Sequence, residues 1–287
     1  MNKIILLVFL ILGIFQLYSM DWPIKDGVII RNFGWNDMGL PSLGVSFESN
    51  DPILAADQGE LLYQHSKNND ASQLISPLGS WVALDHGGGI IGVYSRMADN
   101  DRIKIPVTLE KNSLLGESGI SGWANKKGIY FSLFDRKERR WINPAMIVTI
   151  LTDSRPPQIL SVKLRNAEGS ILEIPQTKNI NQGRYTILVE AAEVFQGTNR
   201  NSLAPFKIIG SLNGLEIGVL NFETFSARDG NLMIYRNGLF PVRQIYAPYP
   251  AFEIGMANFT RGQVTMEIIV QNAAGLSRNA VFRFMVE

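Results

Sequence analysis

The stretch Trp81–Met97, WVALDHGGGIIGVYSRM, constrains the fold more than any other part of the chain. Two β-rich runs, Trp81–Leu84 and Ile90–Tyr94, flank Asp85-His86-Gly87-Gly88-Gly89. Branched and aromatic residues suit the half-buried surface of a sheet. Three successive glycines supply the positive φ values that a tight reversal needs. The segment predicts a β-hairpin, and an isolated hairpin is stable only when further strands cover it.

The flanking sequence supplies those strands. From Trp22 to Pro144, short β-type runs are broken by Gly, Pro or Asn: Val28–Phe33, Gly44–Phe47, Ile53–Leu54, Glu60–His65, Ile129–Phe134 and Trp141–Ile142. No long helical period appears, so this region is expected to be antiparallel β. The polar segment Ser66–Ser76 reads as a loop. At Asp153-Ser154-Arg155-Pro156-Pro157 the prolines remove backbone donors and disfavour helix, which marks a domain boundary. Beyond it, β-type runs recur at Ile159–Leu164, Ile171–Ile174, Tyr185–Ala191, Phe206–Leu212, Glu216–Phe222, Leu232–Tyr235, Val264–Val270 and Val281–Val286. Such density, with turn signals between runs, is expected of a β-sandwich. The fold class is therefore all-β, with domains at 20–152 and 158–287.

The N-terminus has the form of a secretory leader. Lys3 precedes the apolar run Ile4–Phe15, and Leu17-Tyr18-Ser19 resembles a cleavage site, so residues 1–19 are expected to be a signal peptide. The competing reading is an uncleaved anchor, but the run is shorter than the ~20 residues of a spanning helix. Secretion across the inner membrane, and hence a periplasmic location, follows as an expectation. No membrane span is expected after signal cleavage.

Composition narrows the chemistry. The chain has 287 residues, 46% of them hydrophobic, and a formal net charge of +1, so nothing favours nucleic acid as a partner. It has no cysteine, which removes disulfides, thiolate metal sites and cysteine nucleophiles. It has two histidines, His65 and His86. His65 is expected to be exposed at a strand end, and His86 to be a turn residue bonded to backbone.

Several segments, in order, resemble the lysostaphin/LytM-type zinc endopeptidases that cut peptide crosslinks in bacterial cell walls. VIIRNFGW (28–35) is similar to the family's opening strand and Phe-Gly-Trp turn. GVSFESNDPILAADQGELLY (44–63) is similar to the segment leading into its Ala-Ala-Asp-Gly motif. WVALDHGGGIIGVYSRM resembles its Asp-His-Gly hairpin, VTLEKNSLLGESGISG (107–122) its glycine-rich segment, and Ile129–Pro144 its last hairpin. The closing run IIVQNAAGLSRNAVFRFMVE and the opening SRPPQILSVKL resemble bacterial immunoglobulin-like modules. The resemblance implies an antiparallel LytM-like sheet domain followed by an immunoglobulin-like β-sandwich.

The family's chemistry does not carry over. It binds zinc through a His-x-x-x-Asp pair and the second histidine of a His-x-His, with two further histidines assisting the attacking water. On those positions this chain has Ser42, Ser46 and Tyr130, and on the assisting ones Gly128 and Arg96. Serine is a poor zinc ligand and arginine a permanent cation. Zinc is the cofactor the resemblance implies, but its ligands are missing, so none is expected.

The expectation is a non-catalytic binding, regulatory or scaffold protein of cell-wall remodelling. Its partner would be peptidoglycan or a wall hydrolase such as an amidase. Arg96, Tyr94, Tyr130 and Trp123 are the candidate groove residues, with Trp141 a further aromatic; core packing is the other reading for the aromatics. Two other functions stay open. One is an active zinc endopeptidase using His86 with carboxylates such as Asp85 or Glu48, and the other is a purely structural envelope protein. Asp85 is within reach of Arg96 across the hairpin, Arg136–Arg140 reads as the solvated tip of the last hairpin or as a patch for anionic wall polymers or a partner's acidic face, and Arg243–Pro250 as an extended connector or a contact loop.

Overall fold

The computed structural model describes residues 19–66, 76–99, 104–148, 155–176, 179–193 and 203–287. The expected leader, up to residue 18, the polar loop at 67–75 and the boundary residues 149–154 lie outside the described residues. The N-terminal strands are β1 (Val28–Arg31), β2 (Asn36–Asp37), β3 (Leu40–Pro41), β4 (Val45–Glu48), β5 (Pro52–Leu54), β6 (Gly59–His65), β7 (Ser80–Asp85), β8 (Ile90–Met97), β9 (Thr108–Leu109), β10 (Leu114–Glu117), β11 (Gly128–Asp135) and β12 (Arg140–Ile142). The C-terminal ones are β13 (Gln158–Asn166), β14 (Ile171–Ile174), β15 (Asn179–Ile180), β16 (Gly183–Ala192), β17 (Lys207–Leu212), β18 (Leu215–Arg228), β19 (Asn231–Arg236), β20 (Leu239–Pro241), β21 (Phe252–Phe259), β22 (Gly262–Gln271) and β23 (Ser277–Val286). Nearly all pairings are antiparallel, as expected of hairpin-connected strands.

The hairpin β7–β8 forms as read. Gly87, Gly88 and Gly89 take φ values of 79°, 65° and 100°, and His86 N–H and Ile90 N–H close the turn on Ile90 and Gly87 carbonyls. The sheet order β4–β11–β8–β7–β6 surrounds this hairpin, and alternation along each strand sends Val45, Phe47, Ile129, Phe131, Val82, Leu84 and Tyr94 into one core. The final N-terminal hairpin, β11–β12, turns on Asp135. Its carboxylate accepts from Lys137 and Glu138 N–H and pairs with Arg140, so the basic run is the hairpin tip.

The C-terminal strands pack as two layers around a second core. One layer is β14–β13–β16–β21; the other runs β15–β23–β22–β17–β18. Two elements differ from expectation. Phe252–Phe259 is a strand that its glycine and mixed polarity had concealed, and Arg243–Pro250 is not an extended connector. Val242–Tyr246 is a short helix, α1, because Val242, Ile245 and Tyr246 fall on one face and bury themselves in the sandwich core.

The second layer does not end at β18. That strand runs on to Arg228, and its extension pairs with β12 through Arg140–Ser226, Trp141–Phe225 and Ile142–Thr224, so one sheet passes from the N-terminal strands into the sandwich. Trp141, a candidate groove aromatic, instead packs against the sandwich core and edge-on to Phe134 at 5.3 Å. Phe33 and Gly34 plug the same junction. Phe33 is 1% exposed among the sandwich residues, 5.0 Å from the Phe225 ring, and a Cβ at Gly34 would lie 2.6 Å from Phe222. The Tyr246 hydroxyl donates to the Gly34 carbonyl at 2.7 Å, Asn32 exchanges two hydrogen bonds with the Ala204 backbone, and Asn143 Nδ2 donates to Phe222 O.

Candidate functional site

The register of four adjacent strands builds the site. Arg31 on β1 stands opposite Ser46 on β4, Ser46 opposite Tyr130 on β11, and Tyr130 opposite Ser95 on β8. Directly paired residues share a face, so this row points away from the apolar core. Arg96 follows Ser95 with φ of 66°, a left-handed conformation rare outside glycine. Its backbone N–H donates to Leu78 O at 2.7 Å. The kink turns the side chain back over the row. Nη1 donates to Ser46 Oγ at 3.3 Å, and the guanidinium carbon lies 4.8 Å from the centre of the Tyr130 ring. Arg96 Nε is enclosed without a hydrogen-bond partner among the described residues.

Ser42 completes the cluster from the turn before β4. Its hydroxyl donates to Gly44 O at 2.9 Å, beside the Tyr130 hydroxyl. Burial pushes the Tyr130 phenol up, partly offset by its bond to Ser42 and by the nearby Arg96 and Arg31 cations. Burial likewise pulls the Arg96 guanidinium down, with Tyr130 opposing and Arg31 reinforcing the shift. Arg31 had no part in the reading of the sequence; only the strand register brings it within reach. It stacks on Trp35 at 4.7 Å and pairs with Asp37 at 3.4 Å.

Four of the positions singled out in the sequence therefore meet: Ser42, Ser46, Arg96 and Tyr130. Gly128 does not contribute. A Cβ there would sit 1.8 Å from the Phe47 carbonyl oxygen, so the close approach of β4 leaves no room for any side chain. The residues present do not fit zinc. Two neutral hydroxyls, a phenol and a cation bonded between them offer neither the three ligands nor the open position that zinc chemistry uses. Among the described residues no group of three or more His, Cys, Asp or Glu is placed to hold a metal ion. With a cation and a buried phenol, the cluster is equipped to donate hydrogen bonds rather than to take up a proton near neutral pH.

Two candidate groove residues lie elsewhere. Tyr94 is fully buried, not groove-lining, because it alternates with Ser95 and faces Phe131 at 5.0 Å in the core. Its hydroxyl accepts Ala56 N–H at 2.9 Å and meets His86 Nε2 at 3.0 Å. Trp123 stands 73% exposed on the loop after β10, tethered through its N–H to Pro77 O. His86 is the turn residue expected. Its Nδ1 lies 2.9 Å from the Gln58 carbonyl, which only accepts, so Nδ1 carries the proton and Nε2 accepts from Tyr94. Burial lowers its basicity, against the raising effect of the Gln58 bond and of Asp57 and Asp85.

The structure does not assemble the non-standard ligand set of His86, Asp85 and Glu48. Both His86 nitrogens are engaged, and Glu48 pairs with Lys126. Asp85 pairs with Arg136 at 3.5 Å, not with Arg96, whose kinked backbone aims it across the other face of the sheet. His65 is half-buried, stacked on Trp81 at 6.2 Å, rather than exposed.

Fold and site together define an antiparallel all-β protein whose candidate site is a cluster of arginine, tyrosine and serine. Among known proteins, a family model matches residues 156–287. No curated relative matches the sequence. Solved structures similar to it include a mutant catalytic domain of the prophage-encoded M23 protein EnpA from Enterococcus faecalis. The two are 18% identical over 44% of this chain and 95% of that one, with a TM-score of 0.36. The lysostaphin catalytic domain from Staphylococcus simulans is 18% identical over 39% of this chain and 81% of that one, at 0.31. A chain of the SpoIIQ–SpoIIIAH pore-forming complex is 14% identical over 46% and 92%, at 0.37.

Proposed function

We propose that this protein is a non-catalytic LytM-like component of the bacterial envelope, with a binding or regulatory role in peptidoglycan remodelling. Residues 1–19 act as the secretion signal and the mature chain works in the periplasm. Residues 20–152 form the degenerate LytM-like domain and residues 158–287 an immunoglobulin-like sandwich. The observation that carries this reading is the Arg96–Ser46–Tyr130–Ser42 cluster, in which side chains in mutual contact occupy the positions that align with metal ligands and with an assisting histidine. Arg96, seconded by Arg31, makes this face of the sheet a donor-rich, cationic surface suited to carbonyl and carboxylate groups of a wall peptide or of a wall hydrolase such as an amidase.

The test combines metal analysis of the purified protein, a crosslink-cleavage assay and sedimentation with purified sacculi or a wall amidase. The expected result is no hydrolysis, no stoichiometric zinc, and retention that Arg96→Ala weakens. Stoichiometric zinc with hydrolysis overturns the proposal. Retention by neither sacculi nor amidase leaves the purely structural role in its place.

A further inference from the structure

A second concave site lies where the N-terminal turn meets the sandwich. A cavity of about 430 Å³ is lined by Trp35 and Asn36 from the N-terminal side, by Leu160 on β13 and Glu190 on β16, and by Tyr249 and Pro250 between α1 and β21. Its volume falls in the range of small-ligand pockets, which combine apolar walls with a few placed polar groups.

The polar groups are specific. Asn36 is 8% exposed; its Oδ1 accepts Gly39 N–H at 2.8 Å and so caps the β2–β3 hairpin. That bond fixes the orientation of the amide, and leaves Nδ2, a buried donor, without a partner among the described residues. A buried donor left unpaired is costly, so an acceptor supplied by a ligand is favoured there. Glu190 brings a carboxylate, which accepts the Ser161 hydroxyl at 3.1 Å and keeps further lone pairs. The walls are flat rings. Arg31 stacks on Trp35 and holds the indole in place, and Tyr249 is 55% exposed.

We infer that this cavity binds a neutral saccharide. A sugar ring carries flat C–H faces for Trp35 and Tyr249, hydroxyls that donate to Glu190, and oxygens that accept from Asn36. A proline-rich peptide would also stack on such walls, but its backbone offers acceptors alone and leaves the carboxylate without a donor. Apart from Arg31, which packs on Trp35, the inference stands on residues separate from the Arg96 cluster and does not rest on the role proposed for it.

Isothermal titration of the mature protein with tetramers of N-acetylglucosamine and of glucose tests the site, with decaproline as the peptide probe. Binding of either tetramer is expected, weakened about tenfold by Asn36→Asp, which keeps the Oδ1 acceptor of the hairpin cap and puts a carboxylate in place of the amide donor. Tyr249→Ala, on an exposed ring, is expected to weaken binding as well, and circular dichroism melts verify that both variants fold. No heat with either tetramer overturns the inference, as does binding unchanged in both variants, or binding of decaproline alone. Any of these results leaves the Arg96-dependent retention of the groove untouched, so the two proposals fail separately.

Discussion

Glu253 holds together a buried ionic cluster in the sandwich, and removing its charge is the sharpest test of how that unit is stabilised. Its carboxylate bonds Arg236 at 2.8 Å, Arg165 at 3.1 Å and Gln244 at 3.0 Å. The Glu253 and Arg236 side chains are each 5% exposed, whereas Arg165 is 34% exposed. Glu253→Gln keeps the shape and one acceptor but leaves Arg236 as a buried, uncompensated cation. Breaking one side of such a pair costs about 3–5 kcal/mol. Arg165→Gln, at a site that water already reaches, is expected to cost about 1 kcal/mol or less. The double substitution Glu253→Met with Arg236→Met removes both charges and is expected to recover most of the loss, since a buried pair often does no better than apolar packing of similar volume. Urea unfolding followed by circular dichroism, with the slope compared among variants, measures all three. A cost below about 1 kcal/mol for Glu253→Gln, or a double variant no more stable than the single, would refute the claim that desolvated charge dominates here.

Three further outcomes follow from the same structure. Burial holds the His86 pKa below its unfolded value of about 6.5; its stabilising contribution is therefore complete above that pH and lost as pH falls through the folded pKa. Relative to His86→Gln, the wild type should lose stability as pH falls below about 6.5, and a constant difference between the two would count against the lowered basicity. Gly128→Ala puts a methyl group 1.8 Å from Phe47 O and is expected to cost about 2–3 kcal/mol in thermal unfolding; a neutral effect would mean that β4 and β11 part easily. Phe33→Ala empties a site in the junction core and is expected to cost about 3–5 kcal/mol; a loss under 1 kcal/mol would mean that the turn does not anchor the two sets of strands.

The local patterns of the chain determined a good deal. Three glycines between two β-type runs specify the hairpin, because positive φ and alternating burial are local properties. The turn role of His86 and the solvated tip at Arg136–Arg140 were legible for the same reason. So was the absence of an imidazole or carboxylate at Ser42, Ser46 and Arg96, since a serine or an arginine is what it is wherever the strand goes. Tyr94 and Tyr130 show where that legibility stops. Both are tyrosines on the adjacent strands β8 and β11, yet their strand positions and the pairing register send one to the core and the other to the opposite face. That register also recruited Arg31, from a different strand, to the Arg96 cluster, and it denied Gly128 any side chain. The extension of β18 onto β12, the burial of Phe33 among sandwich residues and the cavity around Asn36 all depend on contacts between segments eighty or more positions apart. Spacing along a chain carries no record of such contacts, because they form only when two faces, each specified locally, find their shared core.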